Sequence, residues 1–129
     1  MSHWDGLNRR KFPRVNFPCL VVIKQAQDKD NVLLTHTDNV GIGGVSVTLK
    51  HDLKVFCPVE VELDLMDFEE HIQCQGKVVW NVRRKNNDEQ KPLFYDIGIE
   101  FTSIEPNAQK RIDEAVRRFL ANQKLIPQQ

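Results

Sequence analysis

The sequence carries no surplus of charge of either sign: Lys and Arg number 18, Asp and Glu number 18, and the formal net charge is zero. A protein that grips long nucleic acid through a general positive field needs a basic excess, so that class is disfavoured. Long apolar runs are missing as well. No window approaches the roughly 18 consecutive apolar residues that a membrane span requires, and the opening Met1-Ser2-His3-Trp4-Asp5-Gly6 is too polar for a signal-peptide core. Cysteine is scarce and unpaired in pattern. Cys19, Cys57 and Cys74 form no Cys-x-x-Cys motif and sit in apolar runs, which reads as buried free thiols in a reducing cytoplasm. His3, His36, His51 and His71 show no helical i, i+4 pair and no cysteine at zinc spacing; His36 and Asp38 share a strand face, a weak metal signal. No serine lies in a Gly-x-Ser-x-Gly elbow, and Gly41-Ile42-Gly43-Gly44 lacks the Gly-Lys-Ser/Thr ending of a phosphate-binding loop. Catalysis and a resident metal or cofactor are left without support.

What is present is a pattern of strands closed by one helix. A chain of 129 residues suits a single domain with one core. Residues 1–16 show no hydrophobic periodicity and contain Gly6 and Pro13, so they read as a flexible arm. Phe17, Cys19, Val21 and Ile23 then recur at period two, and the polar stretch 24–31 reads as a hairpin loop. Residues 32–38 form a second strand. After Gly41, Gly43 and Gly44, the residues Val45, Val47 and Leu49 alternate with Ser46, Thr48 and Lys50, and Val59, Val61, Leu63 and Leu65 alternate with acids. Such alternation marks sheets with one dry and one wet face. A long strand covers 69–83, with Gly76 at a candidate bulge. Residues 83–92 form a polar loop, and Tyr95, Ile97, Ile99 and Phe101 give the last strand.

The period then changes. Ala108, Ile112, Ala115, Val116, Phe119 and Leu120 form the apolar stripe of an amphipathic helix starting near Pro106, and the tail from Asn122 is expected to fray. Lys110, Arg111 and Arg117 fall on its polar face, which reads either as solvated surface or as a site of self-association. Six short strands with turns between them predict a small antiparallel barrel, with the helix at one mouth or beside it. The expected divisions are an arm over 1–16, a barrel with its helix over 17–121, and a tail over 122–129.

Two segments concentrate binding chemistry. Arg9-Arg10-Lys11-Phe12-Pro13-Arg14 gathers three guanidinium groups beside a stiff bend, and Asn39-Val40-Gly41-Ile42-Gly43-Gly44 is a glycine-rich turn whose glycines could supply positive φ at a strand junction. Guanidinium groups hold phosphate through paired hydrogen bonds and match the O6/N7 edge of guanine. A ligand carrying both phosphate and guanine is implied. Taken together and in this order ahead of a barrel, the segments resemble the PilZ family, whose members include receptors for the bacterial second messenger cyclic di-GMP. Arg10 to Arg14 matches the family's Arg-x-x-x-Arg motif, and Asn39 to Gly44 its Asp/Asn-x-Ser-x-x-Gly motif, with Gly41 in place of serine. Gly76-Lys77-Val78-Val79-Trp80 and Asp96-Ile97-Gly98-Ile99-Glu100-Phe101 look like the family's later strands, so the likeness covers about residues 9–121.

The resemblance implies a mainly β fold: a six-stranded antiparallel PilZ-like β-barrel with a C-terminal α-helix and a flexible N-terminal arm. It implies that Arg10 and Arg14 bind the ligand's phosphates and guanine faces, and that Arg9 adds a cationic contact of the kind associated with an intercalated ligand dimer. Asn39 would hydrogen-bond a guanine edge, Gly44 would admit close backbone approach, and the missing hydroxyl at Gly41 would weaken binding. Trp80 matches a base-stacking position, whereas alternation from Ile72 places it on the core face; both readings stand at this point. The expected protein is a cytoplasmic, non-enzymatic receptor that binds cyclic di-GMP, orders its arm and regulates a downstream protein, as a monomer or a homodimer. The rival is a PilZ-like interaction module that has lost its ligand, and a barrel for single-stranded nucleic acid is a third and weaker reading.

Overall fold

A computed structural model describes residues 15–16, 18–25, 27–84 and 93–125. The arginines at positions 9, 10 and 14, with Phe12, Pro13 and Phe17, lie outside the described residues, as do 85–92 of the polar loop and 126–129 of the tail. Six strands precede one helix: β1 (Leu20–Gln25), β2 (Asp28–Val40), β3 (Gly44–Leu49), β4 (Pro58–Asp64), β5 (Ile72–Arg83), β6 (Tyr95–Ser103) and α1 (Pro106–Leu125). They close as a barrel in the order β1-β2-β3-β6-β5-β4, every neighbouring pair antiparallel. The expected six-stranded antiparallel barrel with a C-terminal helix is what the chain forms.

Period-two alternation builds it. Val59, Val61 and Leu63 of β4 are buried, and Val45, Val47 and Leu49 of β3 meet them across the interior with Ile97, Ile99, Val21 and Ile23. The step from β3 to β4 crosses the barrel rather than turning back, and Leu53 within that connection joins the core. Asn81 holds the connection in place, donating to Asp52 Oδ1 at 2.7 Å and to the Leu53 carbonyl at 2.8 Å. The α1 stripe is seated as expected: Ile112 and Val116 are buried, and Ala108, Ala115, Phe119 and Leu120 pack against the core.

Three local expectations are corrected. The stretch 24–31 is not a loop, since Gln25 pairs with Asp28 and β2 runs from there through Val40. Its polar residues sit at the exposed end of a strand, where the backbone ladder needs no apolar side chain. Second, α1 continues past Asn122 to Leu125. Third, Arg111 does not belong to a solvated face. Its Nη2 donates to both Asp67 carboxylate oxygens, at 3.2 and 3.0 Å, and its Nη1 donates to the Glu70 carbonyl at 2.7 Å. Partial burial pushes the Asp67 carboxyl up, but the bonds from Arg111 and from the Glu69 amide outweigh it and hold the group below its ordinary range.

The cysteines are free thiols, Cys19 and Cys74 buried and Cys57 only half-buried. Burial pushes both Cys19 and Cys74 up to about 11, so neither is a ready nucleophile.

His71, just ahead of β5, bridges two carboxylates: Nδ1 lies 3.1 Å from Glu62 Oε2 and Nε2 lies 3.4 Å from Asp64 Oδ2. The Glu62 hydrogen bond, helped by the charge of Asp64, raises its pKa above the ordinary 6.5. The sign follows from linkage: the attraction is fully present below the unfolded pKa and is lost as pH rises through the raised folded value. An NMR titration of the His71 ring is expected to give a midpoint above 6.5, falling back in Glu62→Gln; an unshifted wild-type midpoint would contradict the bridge.

Candidate functional site

Two bulges assemble the site. In β2, Thr37 pairs with Val47 and Asn39 pairs with Ser46, so Asp38 is an extra residue. Thr37 and Val40 both stay buried while Asp38 is exposed and Asn39 half-buried, which turns Asn39 to the outer face. In β5, Val78 pairs with Ile99 and Trp80 with Gly98, leaving Val79 as the extra residue. Alternation counted from Ile72 places Trp80 in the core; the bulge at Val79 reverses that. Val78 is fully buried and Trp80 only half-buried, on the opposite face.

Both bulges deliver their side chains to one row. Asn39 pairs with Ser46, Ser46 with Gly98 and Gly98 with Trp80, across β2, β3, β6 and β5. Strand spacing makes this row about 14 Å long. The indole lies over Gly98, where a Cβ would collide with its Nε1 and Cε2 atoms. Gly98 is thus bare so that Trp80 can lie flat toward Ser46 and Asn39. At the other end, Asn39 Oδ1 is buried and has no hydrogen-bond donor among the described residues. A buried acceptor without a partner is costly unless something else supplies the donor.

The flanks of the row are charged. On one side Thr48 Oγ1 lies 2.6 Å from Asp38 Oδ2 and 2.9 Å from Asp96 Oδ1. One hydroxyl proton serves one carboxylate, and the shorter contact assigns it to Asp38. Asp96 is compensated by Arg84, whose Nε lies 3.0 and 3.1 Å from its two oxygens. The Asp96 hydrogen bond and charge raise the Arg84 pKa further. The Thr48–Asp38 bond pins the very residue that makes the β2 bulge. On the other side Glu100 pairs with Gly44 and with Lys77.

The turn beyond Asn39 is short. Gly41 is buried, and its amide donates to the Gly44 carbonyl at 3.0 Å. The Phe101 amide donates to the Gly43 carbonyl at 2.9 Å, tying the turn to β6. No described glycine has a positive φ, so conformational freedom does not explain these glycines. Gly44 is required by packing, since a Cβ there would collide with the Ile99 carbonyl oxygen. Val15 meets this region directly: it forms a two-way bridge with Val40, 3.1 Å from its amide to the Val40 carbonyl and 3.0 Å in return.

Of the expected site residues, the structure brings Asn39 and Trp80 into one row and sets Gly41 and Gly44 in the adjoining turn; Arg9, Arg10 and Arg14 lie outside the described residues. Sequence reasoning missed Ser46, Gly98, Asp38 and Thr48. A glycine inside the alternating run 95–101 was a usable signal, because strand glycines mark close approach. Among the described residues, no group of three or more His, Cys, Asp or Glu side chains is placed to hold a metal ion, and no helix is long and apolar enough to cross a membrane.

No curated protein sequence matches the chain significantly. Among solved structures, the PilZ domain of YcgR from Escherichia coli with c-di-GMP superposes with a TM-score of 0.66 at 15% identity, over 90% of this chain and 94% of that one. The K. pneumonia MrkH–c-di-GMP complex gives 0.73 at 17%, over 90% and 54%. The Bacillus subtilis inhibitor of motility MotI/DgrA gives 0.69 at 19%, over 88% and 52%, so the chain spans about half the length of these last two. At such identities the likeness is one of fold. The PilZ domain profile matches residues 8–118, continuous from the arginine segment through the Asn39 turn, the Trp80 row and α1, and the chain belongs to the PilZ domain family.

Proposed function

We propose that this chain is a cyclic di-GMP receptor that binds its ligand between the arginine arm and the row Asn39–Ser46–Gly98–Trp80. Family membership supports this, as does the description of YcgR and MrkH structures of the same fold as complexes with that nucleotide. The observation that carries it is the buried Oδ1 of Asn39, which has no donor among the described residues, in one row with an outward-facing indole. Guanine supplies N–H donors for that oxygen and a π face for Trp80, and base–aromatic stacking is worth about 1–3 kcal/mol.

The arm can reach. Val15 is fixed beside Val40, next to Asn39, and Arg14 is its covalent neighbour. Arg10 lies five residues before Val15, a span of at most about 17 Å. Val15 sits one strand step outside the row, so this span covers most of the row and the long guanidinium side chains extend it, letting Arg10 and Arg14 hold phosphates and guanine O6/N7 edges from above while Arg9 adds a further cation. Ligand binding would order the arm and present a new surface to a downstream protein. Free thiols at Cys19, Cys57 and Cys74 fit a reducing cytoplasm. We assign no catalytic role.

Gly41 favours a second reading, an interaction module without ligand, because the family's serine hydroxyl is absent there. One neutral hydrogen bond is worth about 0.5–1.5 kcal/mol, which weakens binding without abolishing it. Titration calorimetry with cyclic di-GMP decides between them. Saturable binding is expected, weakened by Asn39→Ala; no heat at any ligand concentration would leave the module reading in place.

A further inference from the structure

A second row runs beside the ligand row on the same outer face. Thr48, Asp96 and Val82 stand two residues along their strands from Ser46, Gly98 and Trp80, and Thr48 pairs with Asp96 as Asp96 does with Val82. Side chains two apart on a strand share a face. This row reaches β2 at the bulged residue Asp38, the chain neighbour of Asn39.

Core burial explains why the β2 bulge exists, but not where its outer residues point. Thr37 is buried and its hydroxyl accepts from the Cys19 amide at 2.9 Å. Val40 is buried as well and bridged to Val15. With both ends held inside, Asp38 and Asn39 must bow outward. Thr48 fixes the bow. Its carbonyl accepts from the Thr35 hydroxyl at 3.3 Å, and its own hydroxyl lies 2.6 Å from Asp38 Oδ2. Among the described residues, no other hydrogen bond holds the Asp38 side chain.

Asp96 competes for the same proton. Its Oδ1 lies 2.9 Å from Thr48 Oγ1, and a hydroxyl rotor can turn to either acceptor. Arg84 removes the competition, because its Nε lies 3.0 and 3.1 Å from the two Asp96 oxygens and compensates that carboxylate. Arg84 stands just past the end of β5, its amide donating to the Phe94 carbonyl at 2.9 Å. It is thus three strand steps from Asn39, about 14 Å.

We propose that Thr48 is a positioning residue of the site: its hydroxyl holds Asp38 and so aims Asn39, while Arg84, by occupying Asp96, keeps that hydroxyl turned to Asp38. The aiming of Asn39 is a property of the ligand-free protein; its effect on affinity rests on the receptor reading.

Amide NMR spectra and calorimetry on the full 129-residue chain test this. Thr48→Val removes the hydroxyl at nearly constant shape, and the half-buried site and the strand preference of valine should leave the melting temperature almost unmoved. Without nucleotide, it should shift the backbone amides of Asp38 and Asn39 and the Asn39 side-chain amide. Thr48→Ser, which keeps the hydroxyl, should bring these signals back toward wild type. Arg84→Met should shift the same signals from across the sheet, and adding Asp96→Asn, which deletes the competing charge, should reverse that shift. Cyclic di-GMP affinity should fall about 2- to 12-fold in Thr48→Val, the worth of one neutral hydrogen bond from Asn39, and recover in Thr48→Ser. Unmoved Asn39 signals in Thr48→Val overturn the proposal, as does undiminished affinity in that variant. An Arg84→Met shift that survives Asp96→Asn overturns the part given to Arg84, since direct attraction between Arg84 and Asp38 would then account for it. A wild type that binds no cyclic di-GMP ends the receptor reading instead, and the ligand-free spectra still decide the role of Thr48.

Discussion

Arg10→Ala and Arg14→Ala are each expected to lower cyclic di-GMP affinity by about 10- to 150-fold, with the barrel's melting temperature unchanged. Hydrogen bonds to charged groups contribute about 1.5–3 kcal/mol, and every 1.4 kcal/mol is a factor of ten in affinity. Stability should change little, because every residue of the described core lies at Val15 or beyond and neither substitution touches one of them. Arginine's planar fork matters as well as its charge, so Lys at either position should recover only part of the loss. Arg9→Ala should act mainly on the number of ligand molecules bound, because its expected partner is a second, intercalated nucleotide. Calorimetry reads affinity and stoichiometry together. Near-normal affinity in both alanine variants would remove the arm from the site and the proposed mechanism with it.

The legible parts of this fold are those that depend on composition along one strand or one helix face. Val59, Val61 and Leu63 announce β4 because burial on one face leaves a period-two trace. Ile112 and Val116 announce α1 by the same logic at the helical period. What escapes such reading is register, a property of two strands at once. The extra residues Asp38 and Val79 change no composition, yet they decide that Asn39 and Trp80 face outward together. A count from Ile72 therefore sends Trp80 into the core, and only the pairing of Val78 with Ile99 and Trp80 with Gly98 corrects it. The start of β2 escapes for another reason, since an exposed strand end needs only backbone partners and its Asp and Lys residues look like a loop. Arg111 shows the converse: helical spacing puts it on a polar face, but a carboxylate from a distant connection reaches it there. Asn39 and Trp80 were findable individually, from their motifs; that they belong to one row was not.

Gly44 and Gly98 separate the fold from the site, because each is bare for a different neighbour. A Cβ on Gly44 meets backbone, the Ile99 carbonyl oxygen with its carbon at 3.1 Å and the Glu100 Cα at 3.2 Å. Backbone cannot rotate away, so β3 and β6 must part. Gly44→Ala is expected to destabilise the barrel by about 2–3 kcal/mol, the upper part of the range for overpacking. For a chain of this size that lowers the melting temperature by about 10 °C. The three atoms nearest a Cβ on Gly98 all belong to the Trp80 side chain. The half-buried indole can swing outward, so Gly98→Ala should cost about 1 kcal/mol of stability, near the low end of that range. The ring would then leave the row and forfeit its stacking, worth about 1–3 kcal/mol, or roughly 5- to 150-fold in affinity. Thermal unfolding and calorimetry on the two variants should therefore give opposite rankings, with Gly44→Ala the less stable protein and Gly98→Ala the weaker binder per folded molecule. Indole fluorescence in a Trp4→Phe background would report the displaced ring directly. Wild-type affinity in a Gly98→Ala protein whose Trp80 emission has shifted would show that the indole takes no part in holding the nucleotide, and would confine binding to Asn39 and the arginines.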